Sequence, residues 1–410
     1  MDSTDNRETA RLVLALTAVV MVGNFYVYDS ISPVADLLQR QRHFSDTQIG
    51  LLNAVYNWPN VLLIVVGGVL VDRYGAARMT LYTAAVCFVG AALTAFSPNF
   101  VGMAVGRLLF GAGAETLNIG VLAAIAQYFA AGRVAFAMGV GLAFGRAGSF
   151  AANMSPTWFA RAYAQGWQPP LVIATLMAST TLAAALVYYC VDRRYGNAPP
   201  SSRAANQPRV ARDLLHFGAA YWLLLALCML WYAVMYAFRS TFSIKYFEHA
   251  HGLNLPAAGA MNSYVFLAAI FATPAFGWLC DRLGRDVPML AFGALLLPLS
   301  MVVMAFTHWS LTIGTVLIGL SFSLVPAVIW PLTSKRVSPE RFGTALGLMW
   351  VLQNVGIGAA NFIAGWLNDG AHASAQNPAG YQPMMLCFIS ASALGFGFAL
   401  LLWFTTARRT

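Results

Sequence analysis

The sequence predicts an all-α membrane protein whose twelve transmembrane helices form two six-helix halves. Three observations lead to this class. Of the 410 residues, 59% are hydrophobic and 10% are charged, whereas roughly a quarter of the residues in a soluble domain are charged. Apolar runs of about 20 residues, the length that crosses a hydrocarbon core, recur along the chain. A short motif that follows the second run is repeated after the eighth.

The apolar runs define the elements in order, and polar turn residues such as Ser97-Pro98-Asn99 separate them, as expected for loops. The longest polar link, 192–217, is rich in Pro, Ser, Asn and Arg. We expect it to be a cytoplasmic linker between an N-terminal bundle, 1–191, and a C-terminal bundle, 218–410. The predicted spans are 10–31, 47–71, 79–97, 101–129, 134–160, 171–191, 218–244, 258–280, 287–306, 309–332, 341–367 and 382–405.

The distribution of positive charge predicts the orientation in the bilayer. If the N-terminus is cytoplasmic, the inner segments carry 17 of the 24 Lys and Arg residues and the outer segments carry 4. Loops rich in Lys and Arg stay on the cytoplasmic side, so we expect both termini to be cytoplasmic and the protein to lie in the cell inner membrane. This placement explains the net charge of +9 without a nucleic-acid partner. The partners we expect are the lipid bilayer and a small molecule, with the protein acting as a monomer.

The repeated motif marks two equivalent cytoplasmic loops. We interpret its first Gly as allowing close helix packing, its Asp as a partner for a neighbouring helix end or arginine, and its cations as facing the cytoplasm. It resembles the cytoplasmic loop motif of the major facilitator superfamily. That resemblance implies two pseudo-symmetric bundles around a central cavity that opens alternately to each side. The two copies read Gly68-Val-Leu-Val-Asp72-Arg73-Tyr-Gly75 and Gly277-Trp-Leu-Cys-Asp281-Arg282-Leu-Gly284.

Conformational roles are predicted for Asp72, Arg73, Asp281 and Arg282, which lie in these loops. Arg107 on span 4 is placed like an arginine common in the superfamily, and the resemblance implies a structural or gating role for it.

Two charges lie near the middle of their spans: Glu115 in span 4 and Arg146 in span 5. An ionisable group at mid-membrane costs at least about 2.5–3.5 kcal/mol on insertion scales, so it faces protein or water and usually has a partner. The two residues are therefore either a structural pair that locks the helices together or parts of one binding site. Small residues beside both charges favour a cavity.

Several blocks resemble the lysosomal dipeptide uniporter subfamily of the superfamily, in the same order over most of the transmembrane region. In that family the carboxylate on helix 4 receives the peptide ammonium and the arginine on helix 5 receives its carboxylate. The resemblance implies these roles for Glu115 and Arg146, and hence dipeptide transport by uniport. The blocks are Tyr56-Asn-Trp58-Pro59-Asn60, Gly113-Ala-Glu115-Thr, Arg146-Ala-Gly-Ser149 with Asn153-Met154, Met261-Asn262-Ser263, Trp330-Pro331, Gly343-Thr-Ala-Leu-Gly347 and Gln353-Asn354-Val-Gly356.

Other polar and aromatic groups within spans are candidate substrate contacts with structural alternatives. Aromatic walls are predicted at Tyr56, Trp58 and Trp330, although Trp58-Pro59 can equally kink helix 2, because proline lacks a backbone donor. The uncharged amides bind either the ligand or a neighbouring helix; they are Asn118, Asn153, Asn262 and Gln353.

Arg239, on the outer half of span 7, departs from the dipeptide-uniporter pattern and either adds an anion contact or pairs with Asp29. The main alternative function is therefore a carrier of small organic anions or drugs, with or without proton coupling. No zinc-protease, nucleophile-elbow, Walker or dinucleotide motif is present in the sequence, so we expect neither an enzyme nor a cofactor nor a metal site. A channel or a substrate-sensing receptor is a less favoured use of the same fold.

Overall fold

A computed structural model describes residues 3–129, 131–195, 217–338 and 341–407. Two predicted features lie outside the described residues: positions 196–216 of the linker and the side chain of Asp281. Long helices dominate the described part. In an apolar solvent the backbone N–H and C=O groups must be satisfied within each segment, and the α-helix does this.

The first half of the chain begins with a helix that turns, through a 3₁₀ segment at Ser32–Val34, into a short second helix. Helix starts are fixed locally; for example, Gly102 N–H donates to the Asn99 side chain at 2.9 Å, which satisfies a donor left free at the helix N-terminus. The helices are α1 Ser3–Asp29, α2 Ala35–Arg42, α3 Asp46–Asn57, α4 Asn60–Tyr74, α5 Ala76–Phe96, α6 Phe100–Tyr128, α7 Ala131–Trp158, α8 Ala160–Gln165 and α9 Gln168–Tyr195.

The second half contains a π-helical turn, Phe238–Phe242, inside its first long helix, and a 3₁₀ turn, Pro378–Tyr381, before its last. Its helices are α10 Ala219–Ala237, α11 Ser243–His251, α12 Leu255–Leu283, α13 Asp286–Phe306, α14 Leu311–Arg336, α15 Phe342–Gly370 and α16 Gln382–Ala407.

The chain divides into two compact units. The first unit consists of Met1–His43 and Val55–Ala205, and the second consists of Phe44–Ala54 and Asn206–Thr410. By contacts, residues 44–54 group with the second unit, whereas the division of the chain into bundles 1–191 and 218–410 stays a prediction. Hydropathy finds where a helix crosses the membrane and carries no information about which neighbours it packs against.

The two units share one internal packing plan. In the first unit α1 packs against α6, α7 and α9, α5 packs against α6 and α9, and α4 packs against α6. In the second unit α10 packs against α14, α15 and α16, α13 packs against α14 and α16, and α12 packs against α14. The long helices of the first unit are, in chain order, α1, α4, α5, α6, α7 and α9, and those of the second unit are α10, α12, α13, α14, α15 and α16. When each set is numbered from one to six, the two units contain the same six helix pairs. The repeated loop motif therefore accompanies a repeat in three dimensions.

Each of the twelve predicted spans overlaps a helix of the described chain. Among the residues that the structure describes, ten helices could cross a membrane by length and composition, and α3 with α4 make an eleventh if counted together. The predicted span that is not among these helices is span 5. It corresponds to α7, which is 28 residues long. The predicted span 2 is divided at Trp58-Pro59 into α3 and α4, which agrees with the kink expected from proline.

The motif glycines act differently from our interpretation of the sequence. A Cβ at Gly68 or Gly277 would meet no atom of the described chain within 4 Å, so the first Gly of each motif is not a close-packing residue in this structure. The last Gly is the constrained one. Gly75 has φ +88° and Gly284 has φ +59°, a region that side chains with a Cβ rarely adopt. Both residues end their helices, which explains why the motif closes on glycine.

Candidate functional site

Glu115 lies on α6 in a half-buried position and receives hydrogen bonds from two side chains. The Tyr56 hydroxyl donates to Glu115 Oε1 at 3.4 Å, and the Asn118 side chain also hydrogen-bonds the carboxylate. Asn118 is three residues further along α6, so both groups are on one face of the helix. The Glu115 carboxylate is thus held by neutral donors.

Asn24 on α1 extends this network. Its Nδ2 donates to Asn118 Oδ1 at 3.1 Å, so Asn118 accepts from α1 and presents its own N–H groups to Glu115. Asn24 is 5% exposed and was absent from our candidate residues. The sequence feature that could have identified Asn24 is its amide side chain within the apolar span 1.

Arg146 lies on α7, between two glycines that contact α1. A Cβ at Gly145 would come within 2.9 Å of the Phe25 ring, and a Cβ at Gly148 would clash with the Val22 carbonyl. Small residues of this kind let helix backbones approach closely in membranes. Arg146 itself is half-buried.

The helices that carry the two charges contact the same part of α1. The Glu115 network reaches α1 at Asn24, through Asn118, and the glycines beside Arg146 reach α1 at Val22 and Phe25. Those three α1 residues lie within one helical turn, about 5 Å along the axis. Glu115 and Arg146 therefore lie on two helices that contact the same turn of α1.

The side of α7 that carries Arg146 can be inferred from its neighbour Phe144. Phe144 is 44% exposed and lines an outer groove with apolar residues of α1 and α9 such as Val19 and Met177. Successive helical residues are rotated by about 100°, so two residues lie about 200° apart. Arg146 therefore points away from this apolar groove.

Arg107 is buried, with 1% exposure, and holds the C-terminal end of α1. Its guanidinium donates to the carbonyls of Val27 and Tyr28, both at 3.2 Å. Carbonyls in the last turn of a helix lack intrahelical donors and favour a cation. The guanidinium also lies 5.4 Å from the ring centre of Tyr56. These contacts make Arg107 part of the scaffold around Glu115, and its gating role stays a prediction.

The two aromatic candidates of helix 2 differ in exposure. Tyr56 is 4% exposed, its ring is 4.7 Å from that of Tyr28, and its backbone touches Gly111, where a Cβ would clash with the Tyr56 carbonyl. Trp58 follows α3 and is 54% exposed. Tyr56 therefore reaches Glu115 from a fixed backbone, whereas Trp58 stands at the helix break.

In the second unit, Arg239 sits in the π-helical turn and is enclosed by aromatic rings. Its guanidinium carbon lies 4.6 Å from the ring centres of Tyr236 and Phe266 and 5.3 Å from that of Phe322. Asn262 donates to the Arg239 carbonyl at 2.9 Å. The Asn262 amide thus joins two helices, and Arg239, with 2% exposure, is held by cation–π contacts.

The remaining candidates of the second unit are Trp330 and Gln353. Trp330 is half-buried, with its ring 6.0 Å from that of Trp350 and 6.3 Å from that of Tyr232. Gln353 Oε1 is 4.0 Å from the Cys228 sulfur. In the first unit, the Asn153 amide donates to its own helix at Ser149 O, 2.7 Å away.

A buried charge cluster at the start of α3 was missed by the sequence analysis. Lys245 Nζ and Asp46 Oδ1 are 2.6 Å apart, and their side chains are 1% and 2% exposed. The Asp369 carboxylate accepts from the backbone N–H groups of Asp46 and Thr47 at 2.7 and 2.8 Å. The predicted span 218–244 ends just before Lys245 and leaves it among the outer segments, but Lys245 lies on α11.

The comparisons with known proteins decide the family. The model of the Major Facilitator Superfamily matches residues 14–361. The chain belongs to the Major Facilitator Superfamily. The human lysosomal dipeptide transporter MFSD1 is 28% identical over 371 residues, covering 87% of this chain and 80% of that protein. A probable sulfoacetate transporter, SauU of Cupriavidus necator, is 22% identical over 387 residues, covering 87% of this chain and 86% of that protein.

The fold is also that of solved transporters of the superfamily. The crystal structure of a single-residue mutant of the nucleoside transporter NupG matches with a TM-score of 0.77 at 12% identity, covering 95% of this chain and 99% of that one. The predicted fold class, the superfamily and the resemblance to lysosomal dipeptide transporters are thus confirmed. The protein is a multi-pass membrane transporter and not an enzyme.

Within this Major Facilitator Superfamily chain, the repeated motif forms the C-terminal end of α4 and of α12. Asp72 and Arg73 are exposed, and the Arg73 guanidinium lies 5.5 Å from the Tyr74 ring centre. Arg282 is exposed beside Trp278, 5.1 Å from its ring centre. These side chains lie at helix ends. Their conformational role stays a prediction.

Proposed function

We propose that this protein carries dipeptides across the membrane by alternating access, with Glu115 binding the peptide ammonium and Arg146 its carboxylate. The observation that carries the proposal is that the two opposite charges lie on α6 and α7, which contact the same turn of α1 beside these residues. Similarity to the lysosomal dipeptide transporter MFSD1 supports the choice of substrate.

The separation of the helices suits a zwitterion. Packed helix axes are about 8–10 Å apart, and two extended residues span roughly 7 Å. Because α6 and α7 contact each other, a dipeptide between them would bring one terminus toward Glu115 and the other toward Arg146.

The hydrogen bonds of Glu115 suit an ammonium ligand. An ionised carboxylate has about four acceptor positions, and the donors given to Glu115 are the Tyr56 hydroxyl and the Asn118 amide. Acceptor capacity remains for a cation, and the half-buried position leaves the carboxylate within reach of a ligand. Because such a site grips the peptide ends, we expect a broad tolerance of side chains.

The proposal extends to the setting of the transporter. We propose that it works as a uniporter and a monomer in the cell inner membrane with both termini cytoplasmic. The charge distribution of the sequence supports the orientation. Saturable counterflow in liposomes would distinguish such a carrier from a channel.

The test is a binding series on purified protein with alanyl-alanine, its N-acetylated form and its C-terminal amide. Ligand stabilisation grows as RT ln(1 + [L]/Kd), about 2.7 kcal/mol at a hundredfold excess over Kd, so a thermal-shift assay detects weak ligands. We expect Glu115→Gln and Arg146→Ala to abolish measurable affinity, since removing one partner of a desolvated charge pair costs about 2–5 kcal/mol. The matched control is Thr17→Val on α1, whose hydroxyl donates within its own helix to Leu14 O, at 3.0 Å.

Two outcomes would refute the proposal. Equal binding of the blocked and free dipeptides would remove the role of the peptide ends. If both charge variants unfold without any ligand effect, the structural ion pair is the better account.

A carrier of small organic anions or drugs is the second candidate, favoured by the similarity to the probable sulfoacetate transporter. It predicts binding of a carboxylate or sulfonate that bears no amine. That binding would depend on Arg146 and persist in Glu115→Gln. Proton-coupled transport would be detected as proton movement that accompanies uptake.

A further inference from the structure

The amide of Asn24 is a buried polar group on α1 that the site described above does not require for contact with a ligand. It is 5% exposed, and Gly23 beside it packs against Thr181 and Met177 of α9. Its side chain points the other way, to Asn118 on α6. The Asn24 amide therefore lies between α1 and α6, the helix that carries Glu115.

The orientation of Asn118 follows from this contact. A side-chain amide has one acceptor end and one donor end. Because Asn24 Nδ2 donates to Asn118 Oδ1, the acceptor end of Asn118 is occupied and its NH₂ group is left for Glu115, to which Asn118 hydrogen-bonds. The opposite orientation would turn the Asn118 oxygen toward the carboxylate, and two acceptors repel each other. By donating to Asn118 Oδ1, Asn24 therefore supports the orientation in which the NH₂ end of Asn118 faces Glu115.

A second observation concerns the other end of Asn24. Its Oδ1 is buried and has no hydrogen-bond partner in the described part of the chain. Buried polar atoms without a partner are rare in native proteins, and each calls for an explanation. An apolar residue of similar size would avoid this unsatisfied acceptor. The presence of an amide at position 24 is therefore better explained by its donor, which faces Asn118, than by the stability of the helix pair.

We propose that Asn24 is a positioning residue for the ammonium subsite: by fixing the amide of Asn118, it keeps the Glu115 carboxylate hydrogen-bonded and aimed at an ammonium group. The inference rests on the proposed function for the ligand, and on the hydrogen-bond chain Asn24–Asn118–Glu115 for the mechanism. It adds α1 to the elements that determine selectivity for a free amino terminus.

The experiment compares Asn24→Leu with the wild type and with Thr17→Val. Thr17 lies seven residues earlier on the same face of α1 and is also buried, with 0% exposure, but its hydrogen bond is local. The first measurement needs no ligand: the carboxylate stretching band of Glu115, assigned by its loss in Glu115→Gln, is followed by infrared difference spectroscopy. We expect the band to shift in Asn24→Leu and to stay in place in Thr17→Val.

The second measurement is the affinity for alanyl-alanine and for N-acetyl-alanyl-alanine. We expect Asn24→Leu to weaken binding of the free dipeptide about fivefold, the central value for loss of a hydrogen bond between neutral groups. The weaker binding of the acetylated form should change less than about twofold, because that ligand carries no ammonium. The control is the same substitution in Glu115→Gln, which lacks the carboxylate at position 115. In that protein, adding Asn24→Leu should cause no change in the carboxylate region of the infrared spectrum.

Each outcome separates the two proposals. An unshifted Glu115 band in Asn24→Leu overturns the positioning role, whatever the dipeptide does. A shifted band with equal loss of both ligands overturns the ammonium-specific part. If the wild-type protein binds no dipeptide and Asn24→Leu still shifts the Glu115 band, the positioning role is supported and the proposed function is refuted. A large fall in the melting temperature of ligand-free Asn24→Leu, with an unshifted band, identifies Asn24 as a packing residue only.

Discussion

The buried ion pair between Lys245 and Asp46 allows a quantitative prediction within the second unit. Both side chains are almost fully enclosed, at 1% and 2% exposure, with 2.6 Å between Nζ and Oδ1. The perturbation is Lys245→Met, which keeps most of the side-chain volume and removes the charge. Asp46 then remains buried without its cation.

The expected loss is large because the charge that remains is desolvated. Removing one partner of a buried pair typically costs about 3–5 kcal/mol, whereas replacing both partners with neutral residues is often nearly neutral. For a unit of this size each kcal/mol shifts the melting temperature by about 2–4 °C, so Lys245→Met should lower it by about 6–20 °C. The double variant Asp46→Asn with Lys245→Met should recover most of that loss.

The chain offers a matched control in Lys335 and Asp286. Their atoms are 2.5 Å apart, but the side chains are 62% and 22% exposed. Exposed pairs contribute about 0–1 kcal/mol, so Lys335→Met should melt within about 4 °C of the wild type by the same conversion. Scanning fluorimetry of all four proteins in one detergent gives the comparison. Equal melting temperatures for Lys245→Met and Lys335→Met would refute the argument from burial, as would a double variant no more stable than Lys245→Met.

Three further predictions concern orientation, cycling and packing. Tags at both termini should be accessible from the cytoplasmic side only, and labelling from the outside of intact cells would contradict the orientation. Asp72→Asn should slow transport in liposomes and leave ligand-induced thermal stabilisation unchanged; lost binding in a stable protein would argue against a conformational role. Gly148→Val should destabilise the first unit by about 1–3 kcal/mol through overpacking against Val22; Gly139→Val, whose Cβ meets open space, is the control that should melt like the wild type.

The sequence predicts most of the fold because the bilayer imposes a length and a composition on each span. What it misses lies where polar residues extend a helix. Lys245 is the clearest case, since its charge ended the predicted span although the chain remains helical to His251. A charged side chain lowers hydropathy whether or not it has a partner, and its partner Asp46 is 199 residues away in sequence.

The candidate site was predictable to the extent that a charge in an apolar span is conspicuous. Glu115 and Arg146 stand out in this way, whereas Asn24 does not, because an amide lowers hydropathy only modestly. Arg239 shows the opposite limitation. A cation in a span suggests an anion ligand, but its aromatic neighbours Phe266 and Phe322 are close only in space. Cation–π enclosure of this kind has no signature in a single sequence.

Glu115 is connected to α1 by two separate routes, and both end within about one turn of that helix. One route runs through Asn118 to Asn24. The other runs through Tyr56, whose hydroxyl donates to Glu115 and whose ring lies beside the Arg107 guanidinium, to the carbonyls of Val27 and Tyr28. α1 thus connects the surroundings of both charges, because it also packs against the glycines beside Arg146. Under the proposed function, the affinity for a ligand that binds both charges would therefore depend on the position of α1.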